Sequence, residues 1–87
     1  MNGENIRILR QEKQGENEYS FVKIYLSGFE YFCVLIKNGD GVFESLGSDL
    51  MMCEEIFEKL INNGVSPEHL QDILKDIRSD IEKEFFV

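Results

Sequence analysis

The chain reads as an α+β domain, an antiparallel four-stranded β-meander followed by an αα-hairpin packed on one sheet face. Three observations predict it. From about residue 5 to 46, β-branched and aromatic side chains recur in short runs broken by glycine-containing turns. From about 49 to 84, apolar residues recur every three or four positions instead. Between the two helical runs lies Asn62-Asn63-Gly64-Val65-Ser66-Pro67-Glu68-His69-Leu70, the residue order of a helical hinge. Strands followed by helices give segregated layers, and so short a hinge keeps both helices on one sheet face.

In order along the chain, Ile6 and Ile8 flank Arg7 in a short first strand, and the polar stretch from Glu12 to Glu18, which contains Gly15, reads as a loop. The second strand runs from Tyr19 to Leu26. Period two sets Val22, Ile24 and Leu26 on one face and Tyr19, Phe21, Lys23 and Tyr25 on the other. Ser27-Gly28 signals a turn, and Phe29 to Lys37 forms a third strand. Asn38-Gly39 favours a two-residue type I′ turn into a fourth strand from Val42 to Leu46, with Asp40-Gly41 as the competing turn. The Asn38-Gly39 turn pairs Leu35 with Val42, Val34 with Phe43 and Tyr31 with Leu46, setting apolar opposite apolar.

Ser48 or Asp49 caps the first helix, in which Leu50, Cys53, Ile56, Phe57, Leu60 and Ile61 gather on one side. Glu54, Glu55 and Glu58 take the other side, joined by Met51. Asn63 is the expected C-cap, and Gly64 suits the left-handed position after it, which a Cβ disfavours. Ser66 is a good N-cap, Pro67 fits the first helical position, and Glu68 complements the helix dipole. Val65 has the spacing to touch both Leu60 and Leu70. Leu70, Ile73, Leu74, Ile77 and Ile81 form the apolar stripe of the second helix. Glu84 rotates into that stripe, so the packed helix is expected to end near Glu82 or Lys83 or to have passed the sheet's edge there, leaving Phe85, Phe86 and Val87 as an apolar tail.

The 87 residues fit one domain, residues 1–87. A chain of this size buries only about 60–68% of its unfolded surface, so its core is thin and association helps it. The composition, 43% hydrophobic and 30% charged, is that of a globular protein. The longest apolar run, Phe32 to Ile36, is too short to span a membrane. Met1-Asn2-Gly3-Glu4 has neither a basic start nor an apolar stretch, so a cytoplasmic setting without a signal peptide is expected. Cys33 and Cys53 both sit in apolar patterns and read as free buried thiols. The net charge is −8; residues 1–48 hold seven acids against five bases, and residues 49–87 hold ten against four. A footprint for nucleic acid needs clustered bases, which are missing, and an anionic membrane surface is disfavoured for the same reason. A basic protein partner fits the charge.

Motifs for chemistry are sparse. His69 is the one histidine, and a cysteine nucleophile paired with it would have to be Cys33 or Cys53, both read as core. Phe43-Glu44-Ser45-Leu46-Gly47 lacks the first glycine of a nucleophile elbow. Asn38, Asp40 and Gly41 resemble part of a calcium loop, but Ile36 and Gly47 then occupy its two terminal ligand positions. His69, Asp72 and Asp76 have helical spacing for a shared metal, yet a dipole complement and a solvated face explain them more simply. No catalytic residue, cofactor or metal is expected.

The stretch Val65-Ser66-Pro67-Glu68-His69-Leu70-Gln71-Asp72-Ile73-Leu74-Lys75-Asp76, preceded by the strand from Tyr31 to Ile36, resembles a family of short uncharacterised bacterial proteins, a domain of unknown function. In that family a strand with a Tyr-Gly-Ile-like segment precedes two helices joined by a Val-Ser-Pro hinge. This chain has Phe32-Cys33 in place of the glycine. The resemblance spans roughly residues 18–78 and implies a bacterial, cytoplasmic setting, with no activity to carry over.

Two features exceed what folding requires. Glu68, Asp72, Asp76, Asp80 and Glu84 recur every fourth residue, a repulsive spacing that costs about 0.2–0.5 kcal/mol per step. In addition, both sheet faces are apolar. One carries Val22, Ile24, Leu26, Tyr31, Cys33, Leu35, Val42 and Leu46, and the other Tyr19, Phe21, Tyr25, Phe32, Val34, Ile36 and Phe43. A hairpin covers only one of them. The expectation is a small acidic protein–protein interaction or regulatory module without catalytic activity, a homodimer formed through the aromatic face or the subunit of a complex with another protein. Its interaction residues are Tyr19, Phe21, Tyr25, Phe32 and Phe43, with Asp72, Asp76 and Asp80 as an acidic strip and Phe85 and Phe86 completing the interface. The alternative is an acidic inhibitor occupying a basic site on a nucleic-acid-binding protein.

Overall fold

A computed structural model describes residues 5–86, with side chains described as far as residue 80. Among these residues the sheet comprises β1 (Asn5–Gln14), β2 (Asn17–Leu26), β3 (Phe29–Asn38) and β4 (Asp40–Gly47). Helix α1 (Leu50–Asn62), a 3₁₀ turn (Pro67–His69) and helix α2 (Leu70–Phe86) follow. The strands are antiparallel and lie in the order β1-β2-β3-β4, as a meander requires. Both helices pack on one face of the sheet, so the α+β reading holds.

The hinge forms as its residues dictate. Gly64 has φ 60°, its N–H donates to the Ile61 carbonyl, and the Val65 N–H donates to the Leu60 carbonyl, the two bonds of a Schellman motif. Asp49 is the cap of α1, its Oδ1 accepting from the Met52 N–H at 3.1 Å. Ser66 holds the extended N-cap conformation without a side-chain hydrogen bond, and a 3₁₀ turn rather than an α-turn opens the second helix.

Several expectations are corrected. The first strand is not short: β1 and β2 continue through the polar stretch to a two-residue turn at Gly15-Glu16, with Gln14 opposite Asn17. Cross-strand hydrogen bonding overrides the weak strand propensity there. The β3–β4 turn is also tighter than a type I′ turn. Asn38 pairs with Asp40 and only Gly39, at φ 77°, stands between them. The register moves by one residue, so Ile36 faces Val42 and Leu35 faces Phe43. A one-residue slip exchanges faces. Val42 and Leu46 therefore join the helix side, and Phe43 leaves it. Finally, the α2 backbone does not stop near Glu82 or Lys83 but continues to Phe86, which leaves the other expectation, a helix that has passed the sheet's edge, in place; the side chains that would decide its packing lie outside the described residues.

The core lies between the helices and the face carrying Tyr19, Phe21, Phe32, Val34, Ile36 and Leu46. Phe21 stacks on Phe32 at 5.8 Å between ring centroids and meets Phe57 of α1 at 5.2 Å. Tyr19 is wholly buried, and its hydroxyl donates to the Val65 carbonyl at 2.8 Å. The aromatic face expected to be bare is thus the one that the helices cover.

A β-bulge at Leu9 decides what flanks this core. Ile8 pairs with Val22, but Arg10 pairs with Phe21, so one residue of β1 is extra. The shift turns Arg10 to the helix side, 5.2 Å above the Phe57 ring, where it pairs with Glu12 and with Glu58 of α1. Hydrogen bonds to Glu12 and then Glu58 raise the guanidinium pKa above its ordinary value. On the opposite edge, α2 is tied to β4 by Arg78, which donates to the Ser45 carbonyl, and by Gln71, which donates to Glu44.

Candidate functional site

The face of the sheet turned away from the helices is apolar. The register sets its rows: Ile8, Val22, Cys33 and Ser45 run across all four strands, and Ile6, Ile24 and Tyr31 run across three. Gln11, Ser20, Leu35 and Phe43 form the next row, and Lys13, Glu18, Lys37 and Gly41 close one end. Leu26 and Phe29 close the other. Along each strand of an antiparallel sheet with one wet face, the residues turned to that face are ordinarily polar, and here those of the Ile6, Ile8 and Leu26 rows are almost all apolar. Ile6 is 65% exposed, Phe29 64%, Ile8 55% and Phe43 50%, while Val22 and Cys33 at the centre are buried.

The expected interaction residues therefore separate. Tyr19, Phe21 and Phe32 are buried in the core and have no free surface to offer, which corrects their assignment to an interface. Phe43 is exposed on the helix-free face, through the register shift. Tyr25 is exposed on the helix side, where Asn5, Arg7, Lys23 and Glu30 surround it and Lys23 lies 3.6 Å from Glu30. Asp72, Asp76 and Asp80 are all exposed, as is Glu68. A step of four residues turns a helix by about 40°, so the strip winds around α2. Asp72 borders a groove with Glu44, Lys75 and Arg78, whereas Asp76 and Asp80 border one beside the hinge with Asn63, His69 and Ile73. Phe85 and Phe86 belong to the last turn of α2, and their side chains, like that of Glu84, lie outside the described residues.

The sequence reading did not single out Ile6, Ile8 and Phe29, the most exposed apolar groups of the helix-free face together with Phe43. The available signal was aromatic bulk. Tyr19, Phe21 and Phe32 are the large groups a thin core most needs, and their face was the better candidate for helix cover.

Cys33 and Cys53 are free and buried. Burial raises the Cys33 thiol pKa, and burial followed by the Asp49 charge pushes Cys53 up to about 11, which keeps both protonated and unreactive at neutral pH. Among the described residues no three of His, Cys, Asp and Glu are grouped to hold a metal ion. Among the same residues no helix is long and apolar enough to cross a membrane. Comparisons with protein-family models, with curated proteins and with solved structures return no match.

Proposed function

We propose that this chain is a small acidic protein–protein interaction module without catalytic chemistry, and that the helix-free sheet face is its binding surface. One observation carries the reading: a contiguous apolar face, running from Ile6 and Phe29 to Phe43, on a sheet whose other face is already filled by the helices. Its apolar rows extend over roughly 450 Å², within the range of about 300–600 Å² in which the largest patch of a monomer is often functional. The bacterial, cytoplasmic setting is proposed from the resemblance that the hinge stretch and the preceding strand carry.

The second reading is an acidic inhibitor seated on a basic site of a nucleic-acid-binding protein, supported by the exposed Asp72, Asp76 and Asp80. Affinity capture from native lysate at low and high salt, with wild-type chain and a Phe29→Lys/Phe43→Lys variant as baits, separates the two. Apolar docking predicts binding that survives high salt and is lost in the variant. The inhibitor reading predicts the reverse. Binding of an apolar fluorescent dye to the wild-type protein but not to the variant marks the face as accessible. A wild-type monomer that binds neither dye nor protein refutes the module.

A further inference from the structure

We infer that the occupant of the helix-free face is a second copy of this chain, packed sheet on sheet about a two-fold axis that runs along the strands. This rests on the reading of that face as the binding surface. The first argument is area. Four strands of eight to ten residues form the face. At about 3.3 Å per residue and about 4.8 Å between strands it measures about 30 by 19 Å, roughly 600 Å² per copy. Two such faces bury roughly 1,200 Å², which reaches the lower edge of specific, stable interfaces. Protruding side chains enlarge the true area.

The second argument is where the charge lies. A net charge of −8 on each copy opposes association. However, Glu54, Glu55, Glu58, Asp72, Asp76 and Asp80 belong to the helical layer, on the far side of a molecule 18 Å thick. That thickness is about twice the screening length at physiological salt. Of the described residues on the helix-free face, only Lys13, Glu18 and Lys37 are charged, and all three sit at one end.

That polar end fixes the axis. A two-fold across the strands lays the Lys13, Glu18 and Lys37 end of one copy on the Phe29 end of the other, desolvating charges against apolar groups. A two-fold along the strands stacks apolar rows on apolar rows and exchanges β2 with β3. Glu18 and Lys37 face each other across β2 and β3. The exchange therefore sets Glu18 over the partner's Lys37 and Lys37 over the partner's Glu18, a self-complementary pair of contacts. Val22 and Cys33, already buried within each copy, lie at the centre of the contact, and the helices point outward on both sides.

Sedimentation of wild type, Glu18→Lys, Lys37→Glu and an equimolar mixture of the two variants tests this. Wild type should be a dimer, and each single variant should weaken it by about tenfold, since like charges then meet at both contacts. Mixing the variants should restore a heterodimer, which contacts within one chain cannot explain. A wild-type monomer at about 100 µM overturns the proposal, because a specific, stable interface holds at that concentration. So does a mixture that fails to recover, or a dimer that Phe43→Lys leaves intact. A monomer that binds the apolar dye through Phe29 and Phe43 removes the second copy but leaves the docking face; one that binds neither dye nor protein removes both.

Discussion

The Tyr19 hydroxyl donates a 2.8 Å hydrogen bond to the carbonyl of Val65, joining the second strand to the hinge between the helices. Both residues are buried, and Val65 also closes the end of α1 through its N–H to Leu60. One phenol thus fixes where the helical hairpin sits over the sheet. Tyr19→Phe keeps the ring and removes the donor, leaving a buried carbonyl unpaired. The expected loss is about 1–3 kcal/mol of unfolding free energy, read from urea denaturation. An unchanged midpoint and slope contradict the anchoring role.

Gly64 carries the left-handed conformation that lets α1 stop and the chain turn, and nothing crowds the position where a Cβ would stand. Strain there is purely a matter of backbone. Gly64→Val should cost at least ~1 kcal/mol, and Gly64→Asn clearly less, because asparagine tolerates this conformation. Equal losses for the two variants are inconsistent with a backbone origin.

Ser27 has φ 53° and is followed by Gly28 at φ 85°, the two left-handed positions of a type I′ turn between Leu26 and Phe29. Serine is a poor occupant of the first of these. Ser27→Asn should raise stability by roughly 0.5–1 kcal/mol, measured by thermal or urea unfolding.

The Cys53 thiol is pushed up to about 11 by burial, with Asp49 adding to the effect. The folded pKa exceeds the unfolded value, so the folded state holds its proton more tightly. The associated stability is fully present below about pH 9 and is lost as pH rises through about 11, up to roughly 2–3 kcal/mol. Cys53→Ala should flatten this part of the profile relative to wild type while lowering stability at pH 7 for lack of the buried sulfur. Parallel profiles above pH 9 mean that Cys53 does not titrate with unfolding.

The bulge at Leu9 illustrates why part of the molecule was hidden from the sequence. Period two alone keeps Ile6, Ile8 and Arg10 on one face of β1. One extra residue returns Arg10 to the helix side, over Phe57, and leaves Ile6 and Ile8 on the other. The same applies at Gly39. The preference of Asn38-Gly39 for a two-residue turn is local, whereas the register with Ile36 opposite Val42 is selected by the core that Val42 and Leu46 join.

Element type, element order and the hinge were written in the sequence because their causes are local. Periodicity, the Asp49 cap and the left-handed Gly64 each act within a few residues, and the structure keeps all three. Which sheet face the helices cover, and hence which residues are free to bind, was decided only by tertiary structure. Both faces were apolar enough to be a core. The choice rested on bulges, on a one-residue register and on a hydrogen bond across 46 positions, none of which leaves a mark in local pattern. The helices settled on Tyr19, Phe21 and Phe32, the face with the larger side chains to bury, and left Ile6, Ile8, Phe29 and Phe43 exposed on the other.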